Sequence, residues 1–224
     1  DDHTAHIAKI TSDALVEKGF KVMIFNAFTN MYYDTPYSKG EASIYHLLNF
    51  DIIDVLVIIP ETIKSEWVTD TIIRYAHATK TPVIILDGRH NGCTNIIYDY
   101  AHSLEQITEH VITEHNCTDL FFIAGTKGNR FSEDRIEAFK RVLARHKIDF
   151  NENTMLGYGD FWDTPTKNVV SGLINSGRKM PQAIICANDT MAITTMKTLE
   201  EHGMKVPDDI IVTGFDAIYQ ERIY

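Results

Sequence analysis

Five short runs of apolar and mostly β-branched residues constrain the fold of this chain more than any other feature. They span residues 54–60, 82–87, 120–124, 183–187 and 210–215. Continuous apolar runs of this length are typical of strands that are buried on both faces of a parallel sheet. Weaker patterns predict two further strands, at residues 21–26 and 155–158.

Segments with helical spacing of apolar residues separate these runs. The predicted helices span residues 5–18, 40–49, 64–79, 104–115, 132–146, 164–176 and 189–202. Ser132 is the expected N-cap of its helix, and Pro165 is the expected first residue of the next. Strands that alternate with helices of this length predict βαβ units and an α/β fold with parallel sheets.

The spacing of the strands predicts two doubly wound lobes with a ligand cleft between them. About seven strands fall into two groups, separated by the irregular stretch 88–101. We expect an N-terminal lobe over residues 1–100, a C-terminal lobe over 101–215, and the start of a return to the first lobe over 216–224. Ligands of open parallel sheets bind beyond the carboxyl ends of the strands, so the residues that follow each strand are the candidates for a site.

Charge and composition exclude several classes of function. The chain has 224 residues, with 31 acidic and 21 basic side chains and a net charge of −10. Such a chain is repelled by a phosphate backbone, and the cation-rich segment 140–147 is interpreted as a solvated helix face. Three cysteines without a CxxC pair indicate a reducing, cytoplasmic compartment. No apolar run reaches the roughly 20 residues that span a bilayer.

The chain also lacks the spacings of common catalytic and metal sites. His110 and His115 do not share one helix face, and residues 125–129 lack the spacing of a phosphate-binding loop. No nucleophile–base arrangement is evident, and Cys186 lies inside an apolar strand. The sequence therefore predicts a protein that is not an enzyme and that holds neither a cofactor nor a metal.

Residues 183–217 closely resemble the sensor domain of the LacI/GalR family, which is related to periplasmic sugar-binding proteins. The matching parts are residues 187–192 (ANDTMA), 206–210 (VPDDI) and 214–216 (GFD). Upstream, residues 122–148 and 159–161 resemble the strand–loop–arginine–helix segment and the Gly-Asp-aromatic element of the same family. The resemblance extends over most of residues 5–220.

The resemblance implies a periplasmic-binding-protein-like type I fold and a specific function. The implied function is a small-molecule sensor of a LacI-type transcriptional regulator, in which a sugar-like or other polar metabolite closes the two lobes. It also implies a homodimer, and contact with DNA only through a headpiece that this chain does not contain. The chain departs from the family in that the first strand is missing, and Thr194 and Ala217 replace a Gly and an Asp.

Two alternatives remain open at this point. Residues 3–5 and 46–51 are similar to sensor domains that precede a diguanylate cyclase (GGDEF) domain in multidomain signalling proteins. In that case the ligand-binding module would be the same and only the output would differ. The other alternative is an enzyme built on a doubly wound scaffold, because a fold does not by itself determine a function.

Several strand-end residues are candidates for ligand contact. Arg135, Asp216 and Asp87 match family positions at the cleft, and a guanidinium group offers a rigid fork of donors. Asn188 and Asp189 follow a buried strand and can accept hydrogen bonds from a ligand. Phe161 and Trp162 provide rings that can stack on a ligand. The predicted ligand-binding residues are Asp87, Arg135, Phe161, Trp162, Asn188, Asp189 and Asp216.

The structural alternatives are specific. Arg135 can instead pair with Glu133 or Asp134 in solvent, and Asn188 and Asp189 can simply cap a helix. Asp87 can be a turn residue before Gly88, and either ring can belong to a lobe core. Further aromatic residues near the second strand, namely Phe28, Tyr32, Tyr33 and Tyr37, can belong to the cleft wall or to a dimer surface.

Overall fold

The computed structural model describes residues 2–27, 40–63 and 65–217, and the chain divides into two compact units. The first unit ends at Tyr98 and the second begins at Asp99. Each unit contains a purely parallel sheet, so the predicted α/β fold is confirmed. The predictions for Phe28, Tyr32, Tyr33 and Tyr37 lie outside the described residues.

The first unit contains a three-stranded sheet in the order β1-β2-β3. In this unit the strands are β1 (Leu56–Ile58), β2 (Val83–Leu86) and β3 (Thr94–Ile96), and the helices are α1 (Asp2–Glu17), α2 (Pro60–Ile63) and α3 (Glu66–Ala78), with a 3₁₀ turn at Ser43–Leu47. The crossover helix α3 has Ser65 as its N-cap, and the apolar face of α3 packs on β1 and β2. This small core includes Ile58, Ile72 and Ile85.

Two predictions for the first half of the chain are wrong. Residues 21–26 do not form a strand, and the side chains of Met23 and Ile24 are exposed. An apolar run becomes a strand only where a neighbouring strand can pair with its backbone, and none of the described strands does so here. Conversely, β3 lies within the stretch that was predicted to be irregular, because its sequence Thr-Asn-Ile carries no apolar run.

The second unit contains a four-stranded sheet in the order β5-β4-β6-β7. Its strands are β4 (Leu120–Ala124), β5 (Leu156–Tyr158), β6 (Ala183–Cys186) and β7 (Ile211–Thr213), and its helices are α4 (Tyr100–Thr113), α5 (Arg130–Arg145), α6 (Glu152–Met155), α7 (Asp163–Asn175) and α8 (Asp189–Glu201). Phe122 of β4 lies beside Leu156 of β5 on one side and beside Ile185 of β6 on the other.

The core of the second unit surrounds the central strands β4 and β6, in which every residue is buried. Helix α5 contributes Phe139, whose ring stacks on Phe122 with their centroids 5.3 Å apart. Helices α4, α7 and α8 bury Leu104, Val170 and Leu199 in the same cluster. Each central strand pairs with another strand on both sides. The loops at the strand ends therefore leave from a well-packed sheet.

Two helix starts differ from the predicted ones. The N-cap of α5 is Asn129, whose Oδ1 accepts hydrogen bonds from the backbone N–H groups of Phe131 and Ser132. Ser132 lies in the first turn and is fully buried. Trp162 occupies the N-cap position of α7, which places Pro165 at the third residue rather than the first.

The cation-rich segment of α5 is a surface face, as predicted. Arg141 and Arg145 form ion pairs with Glu105 of α4, and Arg145 also pairs with Glu109. These contacts hold the pKa of Glu105 and of Glu109 below its usual value, mainly through hydrogen bonds from Arg145 and His146 respectively. Within the described part of the chain, no helix is long and apolar enough to cross a membrane.

Candidate functional site

The candidate site lies at one edge of the sheet in the second unit. The four strands of this sheet are parallel, so their carboxyl ends meet at the same edge. Four loops leave from this edge, beginning at Gly125, Gly159, Ala187 and Gly214. Six of the seven predicted ligand residues belong to these loops or to the helices that follow them.

The backbone of these loops is unusual. Asp160, Phe161, Asp216 and Ala217 all have positive φ angles, between 52° and 92°. Side chains other than glycine rarely occupy this region, and such conformations persist where the surrounding structure imposes them. Three further residues of the described chain with positive φ simply follow helix ends, namely Lys80, Asn116 and Lys147. The strained residues at the strand ends therefore mark this edge as a functional candidate.

Arg135 projects from the second turn of α5 and is only 5% exposed. Its Nη1 donates a hydrogen bond of 3.0 Å to the backbone carbonyl of Phe131. Its Cζ lies 4.7 Å from the ring centroids of both Tyr100 and Phe215, and 5.9 Å from that of Phe161. Asp134 forms an ion pair with Arg130, and the Glu133 carboxylate accepts a hydrogen bond from the backbone N–H of Gly128. The guanidinium group thus sits in an aromatic environment.

Phe161 lies directly above Gly125, at the end of β4. A Cβ atom at position 125 would overlap the Phe161 ring, so only glycine leaves room for the ring there. The ring also packs against the core of the unit. A cluster of a cation and an apolar ring at one edge suits a ligand with both polar and apolar faces.

Trp162 is placed differently from Phe161. Its side chain is 65% exposed, whereas its backbone carbonyl accepts a hydrogen bond from the Thr166 hydroxyl at 2.7 Å. The backbone of Trp162 therefore helps to fix the start of α7, whereas its indole ring is exposed to solvent.

Asn188 combines a structural role with a position at the site. Its Oδ1 accepts a hydrogen bond from the backbone N–H of Met191 at 2.9 Å, which makes it the N-cap of α8. Its Nδ2 donates to the backbone carbonyl of Phe161 at 3.4 Å. The cap predicted as an alternative is therefore present, and the same amide group also supports the strained loop that carries Phe161.

The two aspartates of the second unit lie near the end of β7. A Cβ atom on Gly214 would overlap Oδ1 of Asp189, so the Asp189 carboxylate lies against the backbone that leads into Asp216. Thr194, which replaces a family glycine, donates from its hydroxyl to Asp163 at 3.2 Å and so links α8 to α7.

Asp87 is the one predicted ligand residue outside the second unit. It follows β2 in the first unit, has a φ of 59°, and its backbone N–H donates to the carbonyl of Ile96 at 2.8 Å. Its backbone is thus held in a left-handed turn, which agrees with the structural alternative. A role in ligand contact stays a prediction for this residue.

Sequence reasoning did not single out Tyr100, and it used Phe215 only as part of a motif. Both rings line the Arg135 guanidinium. The sequence analysis missed Tyr100 because it predicted that the helix begins at residue 104. In the structure α4 begins at Tyr100, with Asp99 as its N-cap. The acidic residue before an apolar helical pattern was the available signal.

Within residues 2–27, 40–63 and 65–217, no group of three His, Cys, Asp or Glu side chains forms a metal site. Nε2 of His110 lies 3.3 Å from Nε2 of His115. Cys186 is fully buried, and burial raises the pKa of its thiol to about 12, so the thiol is inert as predicted. The groups that the structure places at the edge are the Arg135 cation, the Asp189 carboxylate and the ring faces around them.

The geometry defines a class of protein in which a parallel α/β unit presents recognition groups at the carboxyl edge of its sheet. Comparison with known proteins identifies the family. The periplasmic binding protein-like domain matches residues 108–223, more than half of the chain. The chain belongs to this family.

A curated relative is the HTH-type transcriptional repressor PurR of Vibrio parahaemolyticus. It is 31% identical over 138 residues, which are 61% of this chain and 41% of the repressor. The PurR of Pasteurella multocida is 26% identical over 161 residues, which are 71% of this chain and 48% of that repressor. The chain thus spans less than half the length of these relatives.

Solved structures show the same fold. A sugar-binding transcriptional regulator of the LacI family from Escherichia coli, complexed with phosphate, matches with a TM-score of 0.75 and 24% identity, over 96% of this chain and 73% of that one. A dimeric Lac repressor with an 11-residue C-terminal deletion matches with a TM-score of 0.73 and 19% identity, over 96% and 74%. The predicted periplasmic-binding-protein-like fold is therefore confirmed.

Proposed function

We propose that this chain is the small-molecule sensor domain of a LacI-type transcriptional regulator. The observation that carries the proposal is the placement of the Arg135 guanidinium, which is nearly buried among aromatic rings at the carboxyl edge of the second sheet. A guanidinium group presents a rigid fork of N–H donors, and the rings around it hold that fork at the edge where ligands of parallel sheets bind.

The proposed ligand is a sugar-like or other small polar metabolite. Arg135, Asn188, Asp189 and Asp216 supply polar groups, and Phe161 and Trp162 supply ring faces for the apolar side of the ligand. The description of the Escherichia coli neighbour as a sugar-binding regulator supports this class. Asp87 belongs to the proposal as a contact from the first unit, together with the predicted closure of two lobes by the ligand.

The proposed partners follow from the same relatives. The relatives are repressors of the HTH type, so contact with DNA is assigned to a headpiece outside this chain and not to its acidic surface. A homodimer is proposed because a structural neighbour is a dimeric repressor. A cytoplasmic location and the lack of a catalytic step are proposed on the same basis.

The two alternatives from the sequence are not favoured. The curated relatives are transcriptional repressors, which supports a DNA-directed output over a cyclase-linked one. An enzyme would need a nucleophile with a base or a metal at the strand ends, and the edge described above carries recognition groups instead.

Thermal unfolding in the presence of sugars, sugar phosphates, nucleosides, nucleobases and amino acids tests the proposal. A ligand at 100 times its Kd adds about 2.7 kcal/mol to the free energy of unfolding, a shift that is easily measured. We expect at least one compound to stabilise the protein and to remain chemically unchanged. Arg135→Ala and Asp216→Asn should abolish that stabilisation.

Arg178→Ala is the matched control. Arg178 also donates to a backbone carbonyl, that of Thr154, and also contacts a ring, that of Phe121 at 5.5 Å. Its loss should lower the melting temperature but leave the stabilisation by ligand intact. Equal loss of binding in both arginine variants, or turnover of the compound, would contradict the proposed function.

A further inference from the structure

Tyr100 forms part of the environment of Arg135 without belonging to any of the four strand-end loops. It is the first residue of α4, and Asp99 fixes its backbone by accepting a hydrogen bond from the N–H of His102 at 3.0 Å. The centroid of its ring lies 4.7 Å from the Arg135 Cζ. A ring at this distance attracts a guanidinium group through its electron-rich face.

The rings of Tyr100 and Phe215 form two adjoining walls around the guanidinium group. Their centroids are each 4.7 Å from Cζ and 6.0 Å from each other, with an interplanar angle of 61°. Centroids that were on opposite faces of the guanidinium would be much farther apart. Tyr100 therefore makes a contact that Phe215 cannot replace.

Phe131 ties the Tyr100 ring to the same arginine. The two rings meet edge to face, with centroids 5.8 Å apart and planes at 79°. The backbone carbonyl of Phe131 accepts the hydrogen bond from Arg135 Nη1. Tyr100 thus supports the guanidinium group directly with its own ring and indirectly through the residue that accepts its hydrogen bond.

We propose that Tyr100 is a positioning residue that holds the Arg135 guanidinium in its binding orientation. An arginine side chain has many rotamers, and the loss of that freedom opposes binding unless it has been lost already in the free protein. The ring removes that freedom before the ligand arrives. The inference rests on the proposed function for its effect on ligand affinity, but the contact itself is testable without ligand.

The first test is the NMR signal of the Arg135 side chain in the intact chain, in wild type, Tyr100→Phe and Tyr100→Leu. In wild type we expect a ring-current shift of the Nε–H proton and slow rotation about the Nε–Cζ bond. Tyr100→Phe should keep both, because it retains the ring face. Tyr100→Leu, which has apolar bulk but no ring face, should move the signal toward that of a solvated arginine.

The Arg178 signal in the same spectra is the internal control, because its ring partner is Phe121 and is unchanged. If Tyr100→Leu does not fold, Tyr100→Met takes its place, since its flexible side chain fills the space without a ring face. An Arg135 signal that is the same in the leucine or methionine variant as in wild type overturns the inference.

The second test measures affinity for four probes: D-ribose, L-arabinose, cellobiose and hypoxanthine. For any probe that wild type binds, Tyr100→Leu should raise the Kd about ten-fold. Tyr100→Phe should keep the wild-type Kd, because it retains the ring. Equal weakening by both variants overturns the positioning role. If wild type binds none of the probes, the proposed function loses support, and the NMR result alone still decides whether Tyr100 positions Arg135.

Discussion

The two units of this chain differ in how completely their sheets are covered. In the second unit, every residue of β4 and β6 is buried, and helices α4, α5, α7 and α8 all contribute to one core. In the first unit, every residue of β3 is exposed, and none of the described side chains of α1 is buried. The second unit thus stands largely on its own contacts, whereas the first leaves apolar surface exposed.

This difference explains why the candidate site is well defined in the second unit. The strained residues Phe161 and Asp216 follow β5 and β7, and each of these edge strands pairs with a central strand that is fully buried. The exposed Ile10, Val16, Phe20 and Trp67 of the first unit suit contact with another surface instead. Most of the proposed ligand contacts therefore come from the second unit, and Asp87 is the one proposed contact from the first.

The largest expected effect comes from Phe139→Ala, which removes a fully buried ring from the core of the second unit. We expect the free energy of unfolding of this unit to fall by about 3–5 kcal/mol. Urea unfolding combined with hydrogen exchange should show opening of β4 amides before those of β2.

The matched variant in the first unit is Ile73→Ala, at a site that is 2% exposed. It should cost about 2–5 kcal/mol and open β2 before β4. If either variant opens both sheets equally, the chain unfolds as one unit and the contrast between the two regions is wrong.

The next prediction concerns Gly125, against which the Phe161 ring packs. Gly125→Ala introduces a Cβ that overlaps the ring, so we expect a loss of about 1–3 kcal/mol and displacement of the Phe161 loop. The fluorescence of the neighbouring Trp162 reports that displacement in a Trp67→Phe background, since the chain has 2 tryptophans.

Gly172→Ala is the control, because nothing lies within 4 Å of the Cβ position of this glycine in α7. It should stabilise the protein by about 0.5–1 kcal/mol. A Trp162 signal that changes equally in both variants would show that the ring does not depend on the space at position 125.

Three strands of the second unit, β4, β6 and β7, could be predicted from sequence because each lies in a continuous apolar run between helical patterns, whereas β5 was predicted from a weaker pattern. The same reasoning placed Arg135, Phe161 and Asn188 at the strand edge, since parallel strands bring their carboxyl ends together. It failed for residues 21–26 and for β3, because strand pairing depends on neighbours that are distant in sequence. The contact of Tyr100 with Arg135 joins positions 35 residues apart, and no local pattern reveals it.

The start of α5 shows a subtler limit of sequence reasoning. Asn129 and Ser132 are both good N-caps, and spacing alone does not decide between them. Asn129→Ala should cost about 0.5–2 kcal/mol, because two backbone N–H groups lose their acceptor. Thermal and urea unfolding measure the loss.

Ser132→Ala should be neutral or slightly stabilising. The Ser132 hydroxyl is buried without a hydrogen-bond partner among the described residues, so its removal relieves a desolvation cost. The opposite order of the two variants would restore Ser132 as the cap.

The smallest effect concerns the surface of the first unit, where Nε2 of His90 lies 2.8 Å from the Asp70 carboxylate. The hydrogen bond to Asp70 raises the pKa of His90 above its usual value, so the protonated form is favoured in the folded state. Nδ1 of His90 faces the carbonyl of Asn91 at 3.1 Å and Sγ of Cys93 at 4.0 Å, and Sγ is also 3.9 Å from Nε2 of His77.

A raised pKa in the folded state means that the contribution of His90 to stability is complete below its unfolded pKa and is lost as pH rises through the folded value. The pair is largely exposed, so the contribution should stay below about 1 kcal/mol. Asp70→Asn should lower the His90 pKa in an NMR titration and reduce stability at pH 5.5 but not at pH 8.5. Asp134→Asn is the control, because it removes the same acidic charge from an exposed ion pair that contains no histidine. If Asp134→Asn shows the same pH dependence of stability, that dependence comes from general surface charge and not from the contact between His90 and Asp70. The two units would then differ in packing and not in this pH response.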